Sequence, residues 1–534
     1  NSIVCIPSKA SVSQEDTKPM KLSILRQKAE PFCTRLFNLL CLLLFVFLFG
    51  ISITSSWLNH EVDDEFVYYS KDSLLGNLIV LLLVFTGLFL LAHLLQRLMP
   101  RLRMNRLALA ASVLAVCISL YWVQSSGTFP RADQEFIWEQ AQLFNSGDFS
   151  GLQPGGYVAI YQQQLGIITF LRICDHIAPL FHTEGWQLFQ LFSALTTGLL
   201  VYAGFRIVAF ITDDQRTAEL LYLLFALVCA PMYLYTSFVY GESSSTAFSM
   251  LAAWMFLECC KSPRVPCLIG LYISVALALL LRTNTIIIFI AFAIVLLIRF
   301  LRTATLRQGL VGLALLLAML TPTVLTNVLY GDKIPENSKS MPAILFIAMG
   351  TNDDVPNAGW YNSYSYLLYE DCNYDPQPAF EAARGYLVGF WARCREDPAY
   401  AVDFYNRKIS SQWNAPMYQC IFMNSRVEGP QTALVQSLYE GEGTQRLTDF
   451  MNLYQSLIYG GVLAFTVVAL KKRFPLKYHV LLIAVFGGFL FSILWEAKAR
   501  YVFPYFLLMI PYAAVGIGAM ITGLQQYFSK RTSV

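Results

Sequence analysis

The stretch FPRADQEFIWEQAQLFNSGDFSG, residues 129–151, brings acidic residues directly behind a long apolar run at 105–123. Asp133 can act as the N-cap of a helix, and Ser146-Gly147 forms a suitable C-terminal stop. The apolar residues between them share one helical face: Phe136, Ile137, Ala141 and Phe144. The stretch therefore predicts a short amphipathic helix on a membrane surface, with its acidic start where the preceding span ends.

The composition of the whole chain is that of a membrane protein. Of its 534 residues, 56% are hydrophobic and 14% are charged, whereas soluble domains carry about a quarter charged residues. The net charge of +3 and the lack of a basic run interleaved with aromatics argue against nucleic acid as a partner. Membrane lipids are the expected surroundings, and the predicted fold class is an all-α polytopic membrane protein.

Twelve segments are apolar over about the 20 residues that a transmembrane helix needs. They lie near 36–57, 74–96, 105–123, 187–211, 217–238, 243–260, 265–281, 285–301, 309–329, 452–470, 479–495 and 502–525.

The loops between these spans alternate in charge. Basic clusters such as 96–106 and 471–477 fall on one side, and acidic segments such as 60–66 fall on the other. The positive-inside rule makes the basic side cytoplasmic, so we expect a multi-pass protein of the cell membrane with both termini in the cytoplasm. Counting 158–180 as a further span would reverse this pattern. We therefore expect that segment to be an interfacial helix on the outer surface.

Several short motifs in a fixed order carry a family resemblance. A span, an acidic residue, an amphipathic helix and a second interfacial helix are followed by YGESSS (240–245), LLRTNTIIIFIA (280–291), MGTNDDVPNAGWYN (349–362), RKISSQWNAP (407–416) and WEAKARYVFPY (495–505). Over about 105–525 the chain resembles the integral-membrane glycosyltransferases of the C-type fold (GT-C). It is most similar to bacterial polyprenyl-phosphate-sugar-dependent members related to family 39. Within 157–170, Gln162 and Gln163 depart from the residues common in that family.

The resemblance implies a domain organisation. We expect a cytoplasmic tail at 1–35, two added N-terminal spans at 36–104, a GT-C core at 105–329 with a catalytic outer loop at 124–186, an extracytoplasmic loop domain at 330–451, and C-terminal spans with a short tail at 452–534.

It also implies an inverting transfer of sugar from a polyprenyl-phosphate-linked donor to a glycan, lipid or protein acceptor. Such a transfer needs a base for the attacking hydroxyl and cations for the departing phosphate. Asp133 is the predicted base, and Glu135 and Glu242 are candidates for an acid or for orienting the acceptor. The predicted phosphate ligands share positions at outer span ends: Arg500, Lys498 and Arg282. Possible sugar or acceptor contacts are Tyr161, Gln163, Trp413 and Tyr501.

Each of these residues also has an ordinary structural explanation. Asp133 can simply cap a surface helix, the three cations can extend toward lipid headgroups, and Tyr501 can belong to the aromatic belt of the interface. The five histidines lack ligand spacing. We expect neither a resident metal nor another cofactor, although the sequence leaves a divalent metal open.

Two other functions remain compatible with the sequence. Twelve spans also suit a transporter or a flippase of a lipid-linked substrate, although the chain shows no internal repeat and its polar residues gather at span ends rather than at mid-membrane. A polysaccharide polymerase or ligase would use a diphosphate-linked donor.

Overall fold

The computed structural model describes residues 17–98 and 103–532. The predicted tail therefore lies outside the described residues up to residue 16, as do residues 99–102 of the basic linker. From Thr17 onward the expected tail is helical and continues without a break into the first predicted span.

The described chain is almost entirely helical. The α-helices in chain order are α1 (Thr17–Thr54), α2 (Leu74–Leu98), α3 (Met104–Ser125), α4 (Asp133–Ser146), α5 (Tyr157–Ile160), α6 (Leu165–Ile177), α7 (Gly185–Thr212), α8 (Arg216–Val228), α9 (Ala230–Leu234), α10 (Glu242–Lys261), α11 (Val265–Leu281), α12 (Ile286–Arg302), α13 (Leu306–Tyr330), α14 (Ala343–Met349), α15 (Tyr364–Asp371), α16 (Pro376–Glu396), α17 (Pro398–Trp413), α18 (Cys420–Met423), α19 (Ala433–Glu440), α20 (Glu442–Lys472), α21 (Val480–Leu494) and α22 (Phe503–Thr532). Short 3-10 helices lie at 150–152, 162–164, 178–181, 235–237, 283–285, 476–479 and 499–501.

Helices occupy every segment predicted as a span. Within the described ranges, ten helices are long and apolar enough to cross a membrane, or eleven when the bent pair 216–228 and 230–237 counts as one span. The serine-rich α10 and the shorter α11 are not among these, yet both pack in the same bundle. The protein is thus an all-α polytopic membrane protein.

The helix expected at the interface does lie across one end of the bundle. It belongs to the segment 162–181, which is apolar enough to span. The start of this helix packs closely against the end of α11, because a Cβ added to Gly166 would lie only 2.2 Å from the Leu280 carbonyl oxygen. Near the other end of this helix, Asp175 packs against Gly185, the first residue of α7. The contact is so close that a Cβ added to Gly185 would lie 1.7 Å from the Asp175 carboxylate. Contacts with the same bundle end at both of its termini favour the interfacial placement.

The predicted span at 217–238 is not one straight helix. It is bent by 56° between α8 and the segment that begins at Ala230. Pro231 follows the break, where its ring removes a backbone donor and opposes a continuous helix. The segment predicted as a span is thus a broken helix, and Pro231 was the signal for the break in the sequence.

The segment between α13 and α20, residues 331–441, forms what we call the loop domain. Its predicted boundary at 451 falls inside α20, which begins at Glu442 and continues to Lys472.

The loop between the first two predicted spans is hydrogen-bonded to this loop domain. It contains an antiparallel hairpin of β1 (Ser55–Leu58) and β2 (Tyr68–Lys71), with Ser55 opposite Lys71. Asn357 accepts from the Val67 amide at 3.0 Å and donates to the Val67 carbonyl at 2.6 Å. Asn414 donates to the Ser55 carbonyl at 2.8 Å. The two added N-terminal spans are therefore joined by a hairpin that packs on the loop domain at this end of the bundle.

Basic side chains mark the opposite end of the same helices. Glu242 begins α10 at the loop-domain end, so Lys261 stands at the far end of that helix. Arg302 in the last turn of α12 and Lys472 at the end of α20 are likewise remote from the loop domain. A helix of about 20 residues spans about 30 Å, so these basic side chains lie far from the loop domain.

Candidate active site

A cavity of about 580 Å³ opens at the loop-domain end of the bundle. Its wall comes from the start of α4, the segment 157–164, the end of α11, the loop domain and the α21–α22 connection. It brings together seven of the predicted site residues: Asp133, Tyr161, Gln163, Arg282, Lys498, Arg500 and Tyr501.

Asp133 is the first residue of α4 rather than its N-cap. The residue before it, Ala132, has φ of 49° and ψ of −127°, a conformation that costs free energy for an L-residue and concentrates at functional sites. The Asp133 carboxylate does not cap the helix. It accepts from the Tyr157 hydroxyl at 3.4 Å, and its other oxygen lies 3.5 Å from Arg500 Nη2. With its side chain 42% exposed, it faces the cavity.

The C-terminal stop of this helix is as predicted. Gly147 adopts the left-handed conformation with φ of 88°, and its amide and that of Asp148 bond back to Phe144 and Leu143. This pattern satisfies the last carbonyls of the helix.

Arg500 lies in a short helical turn between α21 and α22 and is 5% exposed. Among the residues that the structure describes, its Nε atom has no hydrogen-bond partner. The rings of Tyr240 and Phe238 lie 5.2 and 5.8 Å from its guanidinium carbon. A buried guanidinium with an unused donor is suited to bind an anion with its planar fork.

Arg282 follows the end of α11 and contacts the carboxylate of Glu242, with Nη2 at 2.9 Å from Oε1. The Tyr240 ring lies 4.7 Å from its guanidinium carbon. Glu242 is 1% exposed. It lines a smaller neighbouring pocket rather than the main cavity.

Lys498 forms an ion pair with Glu65, a residue of the loop between β1 and β2. Its ammonium also lies 4.6 Å from the centre of the Tyr361 ring. Glu65 lines the cavity but was not among our predicted site residues. The acidic loop at 60–66 was the available signal, yet its pairing with a residue 433 positions later cannot be inferred from local pattern.

Glu496 is the second carboxylate of the site that the sequence analysis missed. It is 7% exposed and accepts a hydrogen bond from Tyr501, and its Oε2 atom has no partner in the described part of the chain. Burial raises its pKa above the ordinary value. The WEAKAR motif contained Glu496, but only its cations were selected.

Besides Glu242, two further predicted residues stand outside the main cavity. Glu135 forms an ion pair with Arg426 at 2.7 Å. Trp413 is fully buried and donates to Ser492 Oγ at 2.9 Å. Its ring lines the smaller pocket and not the main cavity.

Tyr161 and Gln163 lie on an aromatic side of the cavity. Burial raises the pKa of Tyr161, so this side offers a neutral hydroxyl. The rings of Phe346 and Trp495 also line the cavity, and they stack with centroids 4.9 Å apart. Flat rings together with amides and hydroxyls suit the faces of a sugar.

No group of three or more His, Cys, Asp or Glu side chains in the described ranges is arranged to hold a metal ion. Asp353 of the GTNDD motif forms a two-pronged ion pair with Arg407, at 2.9 and 3.0 Å.

Lys408 joins the loop domain to the bundle. This residue of α17 is 0% exposed and donates to the backbone carbonyls of Gly350 and Ile493, the latter at 3.0 Å in the last turn of α21. Burial lowers the pKa of Lys408 to about 7, against an opposing attraction from Glu496.

We expect this buried lysine to make folding stability rise between about pH 7 and pH 9. In that range the unfolded chain holds a proton on Lys408 that the folded chain has released, so higher pH favours the folded state. A shift from 10.5 to about 7 corresponds to about 2 kcal/mol across this interval. Thermal unfolding in detergent should show the rise in the wild type and a flatter profile in Lys408→Met. Parallel profiles would contradict the assignment.

The helices and the cavity together define a multi-pass membrane protein with a charged, aromatic-lined site at one end of its bundle. Residues 30–368 match a family described as conserved hypothetical integral membrane proteins, and the chain belongs to that family. No curated protein matches the chain in sequence. Among solved structures, it is similar to ArnT from Cupriavidus metallidurans bound to undecaprenyl phosphate, with 13% identity and a TM-score of 0.31 over 76% of this chain and 77% of that chain. A similarity of this degree does not by itself define a shared fold.

Proposed function

We propose that the protein is a membrane glycosyltransferase of the GT-C type. It would move a sugar from a polyprenyl-phosphate-linked donor to a glycan, lipid or protein acceptor. The observation that carries this proposal is the contact of Asp133 with Arg500 in a cavity that also contains Arg282 and Lys498. A base and several cations in one cavity are what the transfer requires.

The proposed reaction is a single inverting displacement. An acceptor hydroxyl attacks the anomeric carbon while a carboxylate oxygen of Asp133 takes its proton. The bond from the anomeric carbon to the phosphate oxygen breaks, and polyprenyl phosphate leaves with that electron pair. Arg500, aided by Arg282 and Lys498, would stabilise the charge that develops on the departing phosphate.

In the structure all three cations contact carboxylates: Asp133, Glu242 and Glu65. A phosphate that enters would compete with these carboxylates for the cations. Arg500 retains an unused Nε donor, which makes it the first candidate for the incoming anion.

The charge distribution supports an active site outside the cytoplasm. Basic residues stand at the bundle end opposite the cavity, and such residues favour the cytoplasmic side. Both termini would then be cytoplasmic, and the loop domain would cover the site from outside.

The direct test is transfer from defined donors. Purified protein in detergent is given radiolabelled polyprenyl-phosphate hexoses and pentoses one at a time, with a membrane extract as acceptor. We expect one donor to label the extract. If no monophosphate donor is used and a diphosphate donor is, the polymerase or ligase function is correct. Movement of a lipid-linked substrate across vesicles without transfer would instead favour a flippase.

A further inference from the structure

A second, smaller pocket of about 40 Å³ adjoins the main cavity. The two pockets share five lining residues: Arg282, Asn284, Glu496, Arg500 and Tyr501. Behind them the pocket continues between α12 and α21, toward Trp413 and Tyr505. We call it the inner pocket.

Four buried side chains of the inner pocket have atoms that find no hydrogen-bond partner within residues 17–98 and 103–532. They are Glu242 at both carboxylate oxygens, Gln412 at Oε1, Glu496 at Oε2 and Arg500 at Nε, and their residues are 1, 0, 7 and 5% exposed. Leaving one such group unpaired costs about 1–3 kcal/mol, and most buried polar groups in proteins are paired. Their convergence on one pocket indicates a ligand group that supplies the missing bonds.

The geometry around two of these side chains fixes which atoms remain available. The Gln412 amide nitrogen donates to the carbonyls of Lys408 at 3.0 Å and Ser492 at 3.4 Å, so its oxygen is the free atom. Arg282 approaches Glu242 Oε1 to 2.9 Å as an ion pair, but the geometry is not that of a hydrogen bond. Unpaired acceptors thus outnumber the single unpaired donor at Arg500.

We propose that the inner pocket binds a hydroxyl group of the sugar that the donor carries. This inference rests on the proposed glycosyltransferase function. A hydroxyl supplies a hydrogen to one of the acceptors and can accept from Arg500 Nε. A hydroxyl is favoured over an ammonium because it can donate to an unpaired acceptor and also accept from Arg500 Nε, whereas an ammonium has no lone pair with which to accept.

The size of the pocket sets what can enter it. A cavity needs a volume of about 10–15 Å³ to hold one water-sized group. The inner pocket, at about 40 Å³, therefore holds a hydroxyl or hydroxymethyl group but not a sugar ring. The ring would remain in the main cavity, beside Asp133. The pocket would therefore determine which sugar is accepted rather than how the carrier lipid binds.

The test compares sugar-bearing with bare carrier. Binding of undecaprenyl-phosphate glucose, its monodeoxy analogues and undecaprenyl phosphate alone is measured on the purified full chain. The variants are Gln412→Met, which removes the free acceptor at similar size, and Glu496→Gln, which retains an acceptor for Tyr501. Gln455→Met serves as the matched control, because Gln455 is equally buried with an unpaired Oε1 but lies outside both cavities.

We expect one deoxy analogue to bind the wild type about tenfold or more weakly than the parent donor. In Gln412→Met this difference should shrink, and in both pocket variants the affinity ratio of sugar-bearing to bare carrier should fall. The control should keep both ratios.

Several results would overturn the inference. Equal binding of all deoxy analogues would mean that the pocket holds only water. An amino-sugar donor that binds tighter than every hydroxylated one would assign it to a cation. Equal loss of sugar-bearing and bare carrier in the pocket variants would make its residues phosphate ligands or purely structural. A wild type that binds neither form of the carrier would reject the proposed function itself, and the inner pocket with it.

Discussion

Asp133→Asn is expected to lower the turnover of sugar transfer by about 10²–10⁴-fold, the usual contribution of a positioned general base. The asparagine amide has nearly the same shape and can still accept from Tyr157, which bonds the aspartate at 3.4 Å. It cannot take the proton of the acceptor hydroxyl. Donor affinity should stay the same or increase, because the substitution removes a negative charge 3.5 Å from Arg500.

The measurement separates these two quantities. Single-turnover transfer gives the rate of the chemical step, and binding of the donor is measured independently. Asp148→Asn is the matched control: its carboxylate accepts from the Ser150 amide at 2.8 Å in the turn after the same helix, outside the cavity. A variant at Asp133 that transfers sugar at the wild-type rate would exclude this residue as the base.

Arg500→Lys is expected to reduce kcat/KM by about 10²-fold or more, as the loss of a preorganised donor at a developing oxyanion does. Lysine keeps the charge but loses the planar fork and the free Nε donor of this buried residue. The ammonium is a compact point charge and cannot reproduce two parallel hydrogen bonds to a phosphate. Both donor affinity and turnover should therefore fall.

Arg407→Lys provides the comparison for this second experiment. Arg407 also makes a two-pronged contact, with Asp353 at 2.9 and 3.0 Å, but it lies in the loop domain outside the cavity. Its variant should transfer sugar at close to the wild-type rate. If the two substitutions have the same small effect, Arg500 does not hold the phosphate.

Much of the cavity could be predicted because the decisive residues stand at span ends. Asp133, Arg282 and Arg500 are far apart in sequence, but alternation of the spans puts all three at the same end of the bundle. Charge asymmetry of the loops determines that alternation, and it is the reason why we predict 158–180 to be an interfacial helix rather than a span.

The remaining features of the site depend on side-chain direction and on distant partners. Glu135 is two residues beyond Asp133, and a helix rotates by about 200° over that step, so its carboxylate meets Arg426 at 2.7 Å instead of the cavity. Glu65 and Glu496 acquire their roles from burial and from pairing with Lys498 and Tyr501. No periodic pattern along the chain encodes those contacts.

The hairpin that carries Glu65 also has a consequence for biosynthesis. Its hydrogen-bonded partners include Asn357 and Asn414, and Glu65 itself pairs with Lys498, 433 residues later. At about 5–20 residues per second, roughly 20–90 s pass between translation of the hairpin and of that lysine. Asn357 and Asn414 are translated earlier, so the hairpin can bond to them before Lys498 is available to Glu65. The site is thus closed only after nearly the whole chain has left the ribosome, which keeps incomplete chains from assembling the complete cavity.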